Sequence, residues 1–355
     1  MIDDPRLQTR ITKLFGVRYP IVQTGMGWVA NAKLTAATSN AGGLGIVAAA
    51  PMTFAQMQQA IAQVQAATDK PFGVNLRTDA VDIDARVDHI IKVKVRVASF
   101  AQAPGEAVVK KLKDAGVVVM PTIGARRHAE KVAAWGVDAV IAQGAEGGGH
   151  TGVIPTSILV PQVLDAVDIP VLVAGGVYDG RGLAASLAYG ADGIAMGTRF
   201  LLSSDSSVPD HVKQIYLDTP LTGTVVTKAI DGAPQRVIRT QLIDELERAK
   251  LLAFPKALAN ALRFRKLTGT TYRDLLKEGL AMKKNQDLTW SQLALAANAP
   301  MLTKATMVDG HPEVGILPTG QGVGAIDTLP SCQEIIDSCV QQAIHQLDRL
   351  CGKRP

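Results

Sequence analysis

Residues 142–152 read AQGAEGGGHTG, five glycines around one acidic residue and one histidine. An imidazole is the side chain best suited to take a proton from carbon near neutral pH, which makes His150 a candidate base. Glycine costs conformational entropy, so such a stretch must bring its backbone close to something or adopt positive φ. The plain alternative is a surface turn with a solvated histidine. Two more glycine clusters follow apolar runs: Ala174-Gly175-Gly176, then Ala195-Met196-Gly197-Thr198-Arg199. Backbone N–H groups at such junctions hold anions, and Thr198 adds a hydroxyl; ordinary tight turns are the competing account. Asn75 and Gln143 each follow an apolar run with an amide, and Gly25-Met26-Gly27 offers a bare backbone surface.

Eight short apolar runs position these residues: 20–23, 44–47, 72–75, 95–99, 117–120, 139–142, 171–174 and 193–196. Helical patterns lie between them, among them 54–68, 105–115, 129–135 and 182–189. Strands separated by helices imply right-handed parallel crossovers. Eight such units over roughly 200 residues predict an α/β fold, a closed (β/α)8 TIM barrel, with an open doubly wound sheet as runner-up. Polar and glycine residues gather just past the C-terminal end of each run, where a barrel builds its active site. The expected organisation is a barrel over 1–204, a mostly helical basic addition over 205–325, and a C-terminal helix in 326–355 that returns to the barrel. Within the addition, helical patterns cover 210–216, 241–249, 255–262, 272–278 and 290–297. Residues 236–284 hold twelve Lys/Arg against five Asp/Glu.

Loops after the seventh and eighth strands of a barrel form phosphate sites. A phosphate at Gly175, Gly176, Gly197 and Thr198, amides at Asn75 and Gln143, and a floor at Gly25, Met26 and Gly27 suit flavin mononucleotide (FMN). Gly147, Gly148 and Gly149 would carry the backbone over its ring and bring His150 to the reactive face. His150 is then either the base or only a hydrogen-bond partner of the cofactor. FAD is disfavoured, because no GxGxxG opens the first βα unit. No second His or Cys stands at zinc-ligand spacing from His150, so no metal is expected. A Ser-His-Asp site is disfavoured because no nucleophile elbow is present.

The segments 23–27, 142–152, 174–176 and 195–200 resemble the nitronate monooxygenase (2-nitropropane dioxygenase-like) family of FMN-dependent barrels, whose superfamily includes flavin-type enoyl-thioester and quinone reductases. The resemblance runs through Gly320-Gln321, implies FMN with Gln321 among its contacts, and sets His150 at the family's catalytic histidine. The family loop usually reads Glu-Ala-Gly-Gly-His, whereas this chain has Glu146-Gly147-Gly148-Gly149-His150. Segments 23–30, 146–152, 200–210, 289–292, 296–302 and 329–332 are most similar to a bacterial steroid-degradation subgroup that dehydrogenates a coenzyme A (CoA) thioester left after loss of the A and B rings. That resemblance implies α,β-dehydrogenation: His150 deprotonates a carbon flanked by a thioester and a ketone, and hydride leaves the β carbon for flavin N5. Nitronate oxidation, or an enoyl-thioester or quinone reductase activity, is the alternative. Arg126 and Arg127, with Arg263, Arg265 and Lys266 of the addition, are candidates to hold the CoA phosphates; a solvated basic face is the plain reading of these cations.

The chain has 355 residues, 47% hydrophobic and 19% charged, with a net charge of +5. That is enough for a large core. The three cysteines, Cys332, Cys339 and Cys351, fit neither a zinc knuckle nor a disulfide framework, and a reducing cytoplasm is expected. No apolar run approaches a membrane span, and no signal pattern opens the chain. Acidic residues interleave the basic addition without an aromatic platform, which argues against a nucleic-acid partner. A small-molecule substrate is expected, and a homo-oligomer stays open.

Overall fold

Each apolar run sends alternate residues to opposite sides of its strand. Val22, Leu44, Ile46, Val97, Val118, Met120, Ile141, Leu172 and Ala195 meet in one buried cluster. Their neighbours Ile21, Val47, Ala98, Val119, Val140, Val173 and Ile194 belong to a second cluster, shared with the helices. Strands buried on both faces are the signature of a parallel sheet covered by helices. The computed structural model, which describes residues 3–248 and 290–352, closes that sheet on itself.

The barrel strands are β1 (Ile21–Gln23), β2 (Leu44–Ala48), β3 (Phe72–Leu76), β4 (Val97–Phe100), β5 (Val118–Ile123) and β6 (Val140–Gln143). A two-residue strand outside the barrel, β7 (Gly149–His150), comes next, and β8 (Val171–Ala174) and β9 (Gly193–Met196) complete the ring. Parallel pairing of Ile21 with Ile194 and Gln23 with Met196 closes it. The protein is therefore a TIM barrel, as the eight apolar runs predict.

Helices fill the crossovers: α1 (Arg10–Phe15) precedes β1, then come α2 (Ala32–Asn40), α3 (Phe54–Ala67), α4 (Ile83–Lys92), α5 (Glu106–Asp114), α6 (Arg126–Ala134), α7 (Thr156–Leu164) and α8 (Gly180–Ala188). Ile11 and Phe15 of α1 join the inner cluster and plug one end of the barrel. Arg10 secures that plug through a 2.7 Å ion pair with buried Asp192 just before β9. A capping box between Thr53 and Gln56 starts α3 by satisfying backbone donors that the first turn leaves open. Gly45 lets α2 lie on β2, because a Cβ there would sit 2.1 Å from the Thr35 carbonyl oxygen.

Beyond β9 lie α9 (Thr198–Leu201), α10 (Asp210–Leu217), α11 (Gln241–Arg248), α12 (Trp290–Met307) and α13 (Cys332–Leu350). The last helix starts at a Ser331–Glu334 capping box and packs on α8 and α2, the expected return to the barrel. Gly180 permits this contact, since a Cβ there would stand 2.1 Å from the Cys339 carbonyl oxygen. The addition also contains two strands that a helical reading passes over: β10 (Thr224–Thr227) and β11 (Gln235–Ile238) pair antiparallel, and β11 pairs with β7. A third small core of Ile230, Val237, Ile243, Ala299 and Ile316 holds this cap together. The helical patterns over 255–262 and 272–278, and the cations Arg263, Arg265 and Lys266, lie outside the described residues. No helix among the described residues is long and apolar enough to cross a membrane.

Candidate active site

Strand alternation decides which polar residues reach the barrel mouth. Two residues beyond inward-facing Val97, Met120 and Ile141 stand Ser99, Thr122 and Gln143, and Asn75 pairs with Ser99 across β3 and β4. All four line a cavity of about 780 Å³ at the C-terminal end of the strands, with Thr24, just past β1, completing the layer. Asn75 is 93% buried and its amide reaches the Ser99 hydroxyl at 3.5 Å. Ser99 and Thr122 were legible as inward positions but not singled out as site residues.

Glycines in the wall and behind it have separate reasons. A Cβ on Gly25 would lie 2.4 Å from the Asn75 Cβ. A Cβ on Gly144 would lie 2.0 Å from the Thr156 hydroxyl, and one on Gly148 would lie 2.4 Å from the Thr319 carbonyl carbon. Gly149, Gly175 and Gly176 adopt φ of +65°, +92° and +75°, a region that favours glycine. The run 142–152 is therefore a packed strap, not a loose turn. Glu146 anchors it by accepting from the Thr156 amide at 3.0 Å and hydroxyl at 2.8 Å. Arg236 of β11 donates to the Ala145 carbonyl at 3.0 Å, and Gln143 donates to the His150 carbonyl at 2.8 Å.

The strap ends in β7, where His150 pairs with Gln235 and Gly149 with Arg236. This brings the β10–β11 connection against the imidazole. His150 Nε2 stands 2.7 Å from Asp231 Oδ2, and the Gln235 amide nitrogen lies 3.2 Å from the same ring atom while donating to Asp231. The His150 side chain is 66% exposed and that of Asp231 only 9%. Burial pushes the Asp231 carboxyl up, but the His150 contact and the hydrogen bonds from the Ala233 amide and Gln235 outweigh it and hold the group below its ordinary value. Asp231 and Gln235 carried no sequence signal: they are 81 and 85 residues from their partner.

Against the strap packs the loop after β8, where a Cβ on Gly175 would stand 3.0 Å from the Gly147 amide nitrogen, and beside it lies the loop after β9. Among the described residues, the amides of Gly176, Gly197 and Thr198 donate to no backbone acceptor, which leaves them available to an anion. The Thr198 hydroxyl accepts from the Gly320 amide at 2.9 Å and so ties the segment after α12 to this corner. Next to it Arg199 lines the cavity; burial pulls its guanidinium down to about 10, and its Nε is buried without a partner. A large concave cavity, free backbone donors, wall amides and a half-buried cation fit an anionic, flat aromatic cofactor.

Of the expected contacts, Gly25, Met26, Gly27, Asn75, Gln143, Gly148, Gly149, His150, Gly175, Gly176, Gly197 and Thr198 all line this one cavity. Gln321 does not: its side chain is exposed, and its backbone amide donates to the Glu146 carbonyl at 2.9 Å. Arg126 and Arg127 open α6 just past Gly124, which does line the cavity, but neither arginine does. Arg126 pairs instead with Glu130 at 2.8 Å. Besides Arg199, Arg77 stands in the wall, 2.7 Å from Asp79. No group of three potential metal ligands occurs among the described residues.

Comparison with known proteins places this geometry. The family model for nitronate monooxygenase matches residues 8–342. A Mycobacterium tuberculosis protein is 56% identical over 346 residues, 96% of this chain and 98% of its own length; it is named (3aS,4S,5R,7aS)-5-hydroxy-7a-methyl-1-oxo-octahydro-1H-indene-4-carboxyl-CoA dehydrogenase. A Rhodococcus jostii protein of the same name is 55% identical over 98% of this chain and 99% of its own. Among solved structures, FabK from Thermotoga maritima superposes with a TM-score of 0.81 at 33% identity, over 98% of this chain and 99% of that one.

Proposed function

The chain belongs to the nitronate monooxygenase family, a family of oxidoreductases, and we propose that it is an FMN-dependent dehydrogenase of a CoA thioester bearing a fused-ring acid from steroid breakdown, acting in the cytoplasm. The observation that carries this reading is His150 on the wall of a large polar-rimmed cavity, braced by an ionised Asp231, in the same cavity as free backbone donors suited to a phosphate.

Gly175, Gly176, Gly197 and Thr198 would hold the phosphate of FMN, with Arg199 supplying positive charge nearby. Asn75 and Gln143 stand where polar edges of its ring system need partners. When bound, the flavin supplies the two-electron acceptor for the hydrogen that leaves the β carbon.

His150 takes the proton from the α carbon as the C–H electron pair becomes the new carbon–carbon π bond. In the substrate that gives the two relatives their names, the thioester is at ring position 4, a hydroxyl at 5 and the ketone at 1. A substrate of that kind is a β-hydroxy thioester, not the ketone-flanked carbon expected from the sequence. Its α proton is acidified by the thioester alone, which raises the demand on how well His150 is held.

Anaerobic mixing of the purified flavoprotein with a CoA thioester of this ring system should bleach the flavin's visible absorbance in a single turnover. The family model supports a second reading, oxidation of alkyl nitronates. Nitronate-dependent oxygen uptake without bleaching by the thioester would select it.

A further inference from the structure

We propose that Asp231 is the positioning residue of His150: it keeps the ring hydrogen on Nε2, so that Nδ1 is the atom that takes the substrate's proton. The proposal rests on the reading of His150 as the base. Asp231 is shielded, and its carboxyl is held ionised by three neighbours, so it acts as an acceptor only. An acceptor 2.7 Å from Nε2 requires a hydrogen on that nitrogen. A neutral imidazole carries one ring hydrogen, so Nδ1 is left with its lone pair. Among the described residues Nδ1 meets no hydrogen-bond partner, while the ring lines the cavity.

Gln235 helps to hold the carboxylate in place. Its amide nitrogen donates to Asp231 Oδ2 and passes 3.2 Å from His150 Nε2, so one carboxylate oxygen serves both neighbours. Turning the amide over would bring its oxygen against the carboxylate, which is repulsive. The backbone of His150 is fixed independently, by pairing with Gln235 and by the Gln143 bond to its carbonyl. Asp231 therefore sets the one freedom that remains, the rotation and tautomer of the ring. As the α C–H bond breaks and its proton joins Nδ1, the imidazolium that forms already has its counter-charge on the other side.

The test compares Asp231→Asn, Asp231→Glu and His150→Ala, and reads the imidazole nitrogens of histidine-labelled wild-type holoprotein by ¹⁵N NMR. Asp231→Asn should keep its flavin and its KM within roughly 3-fold while kcat falls on the order of 10²–10⁴-fold. Asp231→Glu should recover part of that loss, which a packing role would not give. The wild-type spectrum should show a hydrogen on Nε2 and none on Nδ1. A wild-type spectrum with the hydrogen on Nδ1 overturns the proposal whether or not the variants fold. Turnover by Asp231→Asn within about 3-fold of wild type, with His150→Ala inactive, overturns it too and leaves His150 as the base. Wild-type turnover by His150→Ala instead removes the base reading, and this proposal with it.

Discussion

The His150 ring is 66% exposed, so water competes for it until substrate covers the cavity mouth. Expelling that water strengthens every polar contact around the ring. His150→Ala should therefore keep flavin and fold, because the backbone at 150 is held by β11 and Gln143, yet lose turnover by about 10²–10⁴-fold. Flavin content and kcat measured on the same preparation check this; loss of flavin with unchanged turnover per remaining flavin would make His150 a cofactor ligand. Gly25 sets a second residue-scale limit. A methyl there meets the Asn75 side chain at 2.4 Å and the Ile46 side chain at 3.4 Å. Neither neighbour has space to withdraw, since Ile46 is fully buried and Asn75 nearly so. Gly25→Ala should cost about 1–3 kcal/mol in denaturant unfolding and displace Asn75 from the cavity wall.

The strap 142–152 works as an element because two others hold it, α7 through Thr156 and β11 through Arg236, while Gln143 braces it from within. Arg236 bridges cap and strap, reaching the Ala145 carbonyl and, at 2.9 Å, the Thr224 hydroxyl of β10. Arg236→Ala should cost roughly 1.5–3 kcal/mol, the range for hydrogen bonds to a charged group. It should also lower kcat more than flavin affinity, because it loosens the His150 end of the strap and leaves the β8 and β9 loops intact. Thermal unfolding followed beside steady-state kinetics reads both. The barrel strands were legible because each is buried on both faces and reads as an apolar run. β10 and β11 were not: Thr224–Thr227 is mostly half-exposed, and Gln235–Ile238 opens on Gln and Arg, so neither shows a clean apolar period. Their place is set by pairing with one another and with β7 across about 85 residues, which local pattern does not encode. So the pocket's glycines and amides could be read from the chain, while the carboxylate behind His150 could not.

At the scale of the whole molecule, the barrel gives one cavity at the C-terminal ends of its strands, and the cap supplies the side that carries Asp231, Gln235 and Thr319. A CoA thioester is longer than such a cavity, so on the proposed function its nucleotide would lie on the rim. Arg126 and Arg127 are the candidates to meet it, at the start of α6, two and three residues past the cavity-lining Gly124. The 2.8 Å ion pair of Arg126 with Glu130 is between exposed groups and is worth little, so a phosphate oxygen can replace the carboxylate at small cost. Neutralising either arginine should raise KM for the full thioester by roughly 3–10-fold, and neutralising both should do more. Salt should reproduce part of the loss in the wild type, since added ions weaken the attraction between exposed charges. The pantetheine analogue, which keeps the reacting thioester but lacks the nucleotide, should bind with a KM indifferent to salt and to both substitutions. Measuring KM for the two substrates at low and high salt decides it. Equal KM values, unchanged by salt in either protein, would mean that this rim does not hold the nucleotide, and a small nitronate, which needs no such handle, would become the better fit to the cavity.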